Sequence, residues 1–194
     1  MNEELKKEEF IKLENRIWKT YQSRIKAATR LLESNKCLDF FSAYYTISLS
    51  ILSVFTLIND NKIVAYFSAL TSIVVMGLVF YGNSMNYKDR YINMKNNYLK
   101  LGDLYYECLK EKIKNNYDLH AIYNKYSELL NNVENHTTND YRKYQYNDLE
   151  EKNKMSFISK TIYITKWLFC KTIILFAFIT PLIMIIYSII IIYK

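Results

Sequence analysis

The chain has 194 residues and a net charge of +7, and 51% of its residues are hydrophobic. It contains only three glycines and one proline, and neither type occurs before Gly77, so little interrupts helix formation. The three cysteines, Cys37, Cys108 and Cys170, match no CxxC or histidine-spaced ligand pattern. This composition predicts an all-α chain with reduced, buried thiols and argues against a disulfide framework or a zinc site.

The first segment has the pattern of a long amphipathic helix. Apolar residues recur at steps of three or four, which predicts one helix face of about 28 residues. They are Phe10, Leu13, Ile17, Tyr21, Ile25, Ala28 and Leu32. No residue around Leu38 interrupts the helix, so we expect it to continue into the apolar stretch that follows.

Three apolar stretches have the length of about 20 residues that a helix needs to cross a bilayer. Residues 38–58 and 63–81 are separated by only four residues, Asn59 to Lys62, which predicts a transmembrane hairpin. Residues 172–192 form a third span close to the last residue. No cleavable signal pattern precedes the first span, so we expect it to be retained.

The basic residues predict the orientation of these spans. Nine Lys and Arg lie in residues 1–37 and fourteen in residues 82–166, against one, Lys62, in the hairpin loop. The positive-inside rule places both basic segments in the cytoplasm, and the third span then leaves Lys194 on the far side. Acidic residues are interspersed throughout, which favours attraction to anionic lipid over direct nucleic-acid binding.

A second amphipathic face follows the hairpin, after a break expected at Gly82. It consists of Tyr87, Tyr91, Met94, Tyr98, Leu101, Tyr105, Cys108 and Ile113. Each of the two apolar faces must be covered, either by the other or by a neighbouring subunit.

Shorter helices are predicted beyond it. Asp118 is a candidate N-cap for a helix that ends at Val133, and a polar loop follows. Thr138 or Asn139 is expected to cap the next helix, which leads into the last span. It is expected to carry Tyr141, Tyr144 and Leu149.

The first span carries its polar groups on one side, within about 120° on a helical wheel. They are Asp39, Ser42, Thr46, Ser50, Ser53 and Thr56. In one interpretation the hydroxyls bond to their own helix or join it to the second span. In the other, several copies of the chain turn this stripe toward a wet pore, with Asp39 as an acidic ring at its cytoplasmic mouth.

Little in the sequence indicates an enzyme, because the common catalytic and phosphate-loop motifs do not occur. His136, with Glu134, Asn135 and Asp140 nearby, is compatible with acid–base chemistry or metal binding, although a helix-cap and turn network is the favoured interpretation. We therefore predict no catalytic residue, no cofactor and no metal.

Three segments carry a family resemblance: RIKAATRL at residues 24–31, YSELL at 126–130 and ENHTTNDY at 134–141. In this order, around the hairpin, they resemble the SLATT family of two-span effectors of prokaryotic conflict systems. The C-terminal apolar segment departs from the two-span pattern and resembles a third span found in part of that family. The matching positions are Arg24, Ala27, Arg30, Leu31, Tyr126, Leu130, Glu134, Asn135, His136, Asp140 and Tyr141.

The resemblance implies a membrane effector encoded beside a nucleotide-signal synthase, a nucleotide sensor or a reverse transcriptase. Such an effector permeabilises the inner membrane when infection is sensed, which kills or arrests the cell. No catalytic role attaches to the motif positions. We expect Arg24 and Arg30 to pair with acids of the central helices, and the loop from Glu134 to Asp140 to lock one helix end onto another.

The sequence thus predicts a single SLATT-like domain over residues 1–194. It comprises a cytoplasmic helix (1–37), a transmembrane hairpin (38–81), a cytoplasmic helical segment (82–166) and a C-terminal transmembrane helix (167–193). The leading hypothesis is a homo-oligomeric, pore-forming effector of phage defence in the cytoplasmic membrane. The alternative is a membrane-integral scaffold that anchors a cytoplasmic partner enzyme.

Overall fold

The computed structural model describes residues 3–58, 61–114 and 117–192, and within these ranges every regular element is a helix. The helices are α1 (Glu3–Ile58), α2 (Lys62–Met85), α3 (Tyr87–Ile113), α4 (Leu119–Asn131), α5 (Thr138–Asn147), α6 (Leu149–Lys154) and α7 (Phe157–Ile192). The all-α prediction is confirmed, and α1 runs without interruption from the amphipathic segment into the first apolar stretch, as expected.

The helices form two compact units. The first, called the bundle unit below, takes in Met1–Leu32 and Lys88–Tyr163. The second, called the span unit, takes in Glu33–Tyr87 and Ile164–Lys194. Helix α1 therefore contributes its first half to one unit and its second half to the other.

The core of the bundle unit is built from the predicted apolar faces of α1 and α3, joined by α4. Its buried residues are Phe10, Leu13, Ile17, Leu101, Leu104, Cys108, Ile122 and Tyr126. The two faces thus cover each other within one chain, and they give no reason to invoke a neighbouring subunit. Ile113 departs from the prediction, because at the end of α3 it is 82% exposed.

The junction between α2 and α3 lies four residues later than predicted. Gly82 is helical, and α2 continues to Met85. The break comes at Asn86, which adopts a left-handed conformation with φ 46° and donates its N–H to the Gly82 carbonyl. Asn tolerates this region better than most residues because its short polar side chain can bond locally. A left-handed asparagine, rather than a glycine, therefore ends α2.

Two other helix ends differ from the prediction. Asp118 caps α4 as expected, but α5 is capped by Thr137 rather than Thr138 or Asn139. The helix after it does not lead directly into the last span, because Asp148 is extended and caps a separate helix, α6. Leu149, predicted to lie on the same helix as Tyr141 and Tyr144, instead begins α6 and is 82% exposed.

The span unit contains the apolar parts of α1, α2 and α7. Three helical segments among the described residues are long and apolar enough to cross a membrane. The hairpin and the third transmembrane helix are thereby confirmed by length and composition. In the hairpin loop Asn61 caps α2 by accepting a hydrogen bond from the Ile63 N–H, whereas Asn59 and Asp60 lie outside the described residues, as does Lys194.

Candidate functional site

Helix α1 directs its hydroxyl stripe away from its buried face in the span unit. The buried face consists of Phe41, Tyr45, Ser48 and Leu52. At about 100° per residue, the stripe is centred about 115° from this face. Of the six stripe residues, Asp39, Thr46 and Ser50 are exposed and Ser42, Ser53 and Thr56 are half-buried. The chain's own helices therefore leave much of the stripe uncovered.

The stripe hydroxyls direct their protons to nearby partners. Thr46 donates to the Ser42 carbonyl at 2.7 Å, Ser50 to the Thr46 carbonyl at 3.0 Å, and Thr56 to the Leu52 carbonyl at 2.9 Å. A hydroxyl that donates once still has acceptor lone pairs. These oxygens can therefore accept from water or coordinate a cation without breaking the helix.

Two residues of the stripe, Ser53 and Asp39, contact other side chains. The Ser53 and Ser68 hydroxyls of α1 and α2 lie 3.2 Å apart. The Asp39 carboxylate accepts a hydrogen bond of 2.8 Å from the Asn35 amide one turn earlier. The hydroxyl contact expected between the first two spans is thus present at Ser53, while the Asp39 side chain remains exposed.

The third span is joined to α1 at its proline. Pro181 lies inside α7 and has no N–H, so the carbonyl of Ala177 loses its usual helical donor. Tyr45 donates to that carbonyl at 2.9 Å, and Tyr44 donates to the carbonyl of Phe178 at 2.8 Å. Buried carbonyls in a membrane need such a partner, because lipid offers none. Sequence reasoning missed this pair, because the contact joins residues more than 130 positions apart; the presence of Pro181 in an apolar span was the only available signal.

Arg24 is fully buried in the bundle unit and makes its contacts at the C-terminus of α4. Its guanidinium donates to the side-chain oxygen of Asn97 and to the carbonyls of Leu129, at 3.0 Å, and Leu130, at 3.4 Å. Asn97 also donates to Leu129, at 2.8 Å. The expected acidic partner is therefore wrong. The cation instead interacts with carbonyls that end a helix, where the macrodipole favours positive charge.

Arg30 does pair with an acid, as predicted. Its Nε and Nη2 donate to the two carboxylate oxygens of Asp140 at 2.9 and 3.2 Å. The same carboxylate accepts from the Thr137 N–H at 2.8 Å and the Thr137 hydroxyl at 2.7 Å, which completes a capping box for α5. Burial would raise the pKa of Asp140, but the hydrogen bonds from Arg30 and Thr137 outweigh it and lower this pKa.

Glu134 begins the loop and binds a residue that the sequence did not single out. Arg90 of α3 donates from Nε and Nη2 to the Glu134 carboxylate, at 3.0 Å and 2.9 Å. The loop before α5 is thus held by one bidentate arginine at each end, Arg90 at Glu134 and Arg30 at Asp140. The expectation that this loop locks helices together is supported by these contacts.

His136 lies between these two ion pairs and makes no side-chain hydrogen bond through Nδ1, which is buried. Burial and the positive charge of Arg24 lower the pKa of His136, and Asp140 opposes them. Asn135 is exposed, and Tyr141 is half-buried with its ring 6.1 Å from that of Tyr144. In the described ranges, no group of three His, Cys, Asp or Glu side chains is placed to hold a metal ion.

A comparison with known protein families gives a match over nearly the whole chain. Residues 6–193 match the SMODS and SLOG-associating 2TM effector domain family 5, or SLATT family 5. The chain belongs to this family. The match includes both units and the third apolar helix, so α7 lies within the SLATT domain's matched region. No curated protein and no solved structure gives a significant match.

Membership in SLATT family 5 identifies a membrane effector domain associated with SMODS and SLOG nucleotide-signalling systems. Among the motif positions, Arg24 contacts the carbonyl of Leu130 and Arg30 contacts Asp140, both within the bundle unit. Asn97 and Arg90, which complete the two arginine contacts, carried no signal at the level of sequence because each is one polar residue among many on α3.

Proposed function

We propose that this SLATT chain assembles as a homo-oligomer and permeabilises the inner membrane when its defence system is activated, causing cell death or arrest. The observation that supports this most directly is the uncovered hydroxyl stripe on α1. In a lone chain, Thr46 and Ser50 would face lipid in the middle of a helix whose other outward residues, such as Ile47 and Val54, are apolar.

Assembly offers this stripe a better environment than lipid. Hydroxyl oxygens with free lone pairs gain hydrogen bonds when they face water, and an ion can exchange part of its hydration shell for them. The exposed Asp39 carboxylate at one end of the stripe favours cations at the entrance. Several copies that turn α1 toward a common axis would therefore create a polar path.

The proposed orientation follows the positive-inside rule, with the bundle unit in the cytoplasm. There it is placed to receive a signal from a nucleotide-signal synthase, a nucleotide sensor or a reverse transcriptase. We assign no catalytic activity to the chain. The contacts of Arg24 with the end of α4 and of Arg30 with Asp140 serve to position helices rather than to transform a substrate.

The test is membrane potential, followed with a voltage-sensitive dye in bacteria that express the chain together with its neighbouring genes. The stripe variant carries Thr46→Val, Ser50→Ala and Thr56→Val. A matched control carries Ser72→Ala, Thr172→Val and Thr180→Val, which removes three hydroxyls that also bond to their own helices. We expect the natural chain and the control to depolarise the cells and the stripe variant to fail.

A different result would support a scaffold that anchors a partner enzyme. Such a scaffold would leave the membrane potential unchanged in all three strains even with the neighbouring genes present. It would also retain toxicity in the stripe variant. Equal depolarisation by the stripe variant and the natural chain would contradict the assignment of α1 as the pore wall.

A further inference from the structure

A surface groove of the bundle unit lies between α1 and the segment that precedes and begins α5. Its volume is about 440 Å³, within the range of small-ligand sites. It is lined by Lys12, Asn15, Arg16, Lys19, Thr20, His136 and Tyr141. No carboxylate is among these residues, so the groove presents donors and positive charge.

The three cations on α1 share one face because they are spaced at i, i+4 and i+7. Two already have a partner: Lys12 lies 2.8 Å from the Glu8 carboxylate and Lys19 lies 3.4 Å from that of Glu151. Arg16 makes no ion pair within the described ranges. Its guanidinium is therefore the cation in the groove that is free to bind an anion.

The opposite wall of the groove includes His136, a second group that can carry positive charge. Nδ1 of His136 is buried and has no hydrogen-bond partner, which is uncommon for a polar atom inside a folded chain. An anion in the groove, which His136 lines, would favour the protonated form of this imidazole. It would also offset the repulsion between a protonated His136 and the buried Arg24, which has no carboxylate partner among the residues that the structure describes.

We propose that this groove binds a phosphate-bearing anion, with Arg16 as its principal charged contact and His136 as a donor from the facing wall. A guanidinium offers the paired N–H groups that match phosphate oxygens, and lysine ammonium groups add positive charge around them. The volume exceeds that of a single phosphate, so the groove has room for a larger group attached to it. The proposal does not depend on pore formation.

Two sources supply this chemistry: a soluble phosphate compound or the headgroup of an anionic phospholipid. The chain contains only two histidines, His120 and His136, so selective labelling of histidine gives a simple NMR spectrum. We would record it for the full chain in maltoside micelles during titration with inorganic pyrophosphate. A second set of spectra would compare nanodiscs of phosphatidylcholine with nanodiscs that contain phosphatidylglycerol.

For a soluble source, pyrophosphate should shift the His136 resonance saturably and raise the pKa of His136, because the bound anion favours the imidazolium form. The variant Arg16→Gln should weaken binding by about tenfold, the usual effect of losing a charge-assisted hydrogen bond. Lys95→Gln, which removes one positive charge from α3 outside the groove, should bind within about twofold of the natural chain.

For a lipid source, the same shift should occur in phosphatidylglycerol nanodiscs and not with pyrophosphate in micelles. Either pattern, if Arg16→Gln abolishes or weakens it selectively, supports the anion site. No His136 shift in either set of spectra would overturn the proposal. Equal weakening by Arg16→Gln and Lys95→Gln would overturn it as well, because net charge and not the groove would then explain the binding.

Discussion

The hydroxyl of Tyr45 donates a hydrogen bond of 2.9 Å to the carbonyl of Ala177, four residues before Pro181. A proline removes the N–H that would otherwise serve that carbonyl, and the side chain of another helix supplies the missing donor. The carbonyl that Pro181 leaves without a donor in α7 is thus the group through which Tyr45 joins α7 to α1. The third span therefore has a specific structural role in the span unit.

A double-mutant cycle tests this relationship. Tyr45→Phe should destabilise the natural chain by about 1 kcal/mol, since a buried carbonyl loses its donor. In a Pro181→Ala background the restored N–H serves the carbonyl, so the same change should cost much less. Thermal unfolding in detergent measures both values. Equal costs in the two backgrounds would show that Tyr45 does not compensate for the proline.

Arg24 should be needed for the attachment of α4. Arg24→Met removes the hydrogen bonds that the guanidinium donates to the Asn97 side chain and to the carbonyls of Leu129 and Leu130, and we expect a loss of about 2 kcal/mol in the free energy of unfolding. Arg24→Lys should restore little, because an ammonium group cannot reproduce the guanidinium fork. Lys26→Met serves as the charge-matched control. A fully stable Arg24→Met chain would mean that the cost of burying the cation cancels its contacts.

Removal of Asp140 should be the most destabilising single change in the loop. Its side chain is only 2% exposed, and Asp140→Ala removes both an ion pair with Arg30 and the capping box of α5. Together these predict a loss of about 3 kcal/mol, measured by unfolding in detergent. Asn139→Ala, one residue earlier, should have a much smaller effect. A comparable loss from both variants would indicate a general sensitivity of the loop.

The stability of the bundle unit should fall when the pH decreases below 6.5. Because burial and Arg24 lower the pKa of His136 in the folded chain, the unfolded chain binds this proton more readily. Acidification below this pH therefore favours unfolding. The Asp140 and Glu151 carboxyls, whose pKa values are also lowered in the folded chain, contribute only at lower pH.

The control for this pH dependence is His136→Gln, which cannot titrate. As the pH falls below 6.5, its melting temperature should decrease less than that of the natural chain. The same dependence in both chains would assign it to other groups.

The order of helices and the three spans could be predicted because both depend on local patterns. Hydrophobic periodicity identified the core residues Ile17, Leu101 and Cys108, and the length of the apolar runs identified the hairpin. The pairing of Arg30 with an acid was also predictable in kind. The positions of helix ends were predicted less accurately, because Asn86 and Thr137, which end α2 and cap α5, have neighbours of similar propensity.

The partners of Arg24 could not be predicted, because they are set by distance in three dimensions. Asn97 lies 73 residues from Arg24 along the chain, and the carbonyls of Leu129 and Leu130 are present in any sequence. A buried arginine suggests a carboxylate partner by its charge alone. Only the three-dimensional structure shows that Arg24 binds the C-terminus of α4 instead of a carboxylate.

The Asp140 carboxylate holds Arg30 of α1 and the first turn of α5 at the same time. Fraying of α5 and release of α1 are therefore one cooperative opening and not two independent events. Hydrogen exchange at the Thr137 amide, which is bonded to that carboxylate, should then proceed at a rate set by the detachment of a helix distant in sequence. A single backbone amide would thus report the docked fraction of the helix that carries the first span.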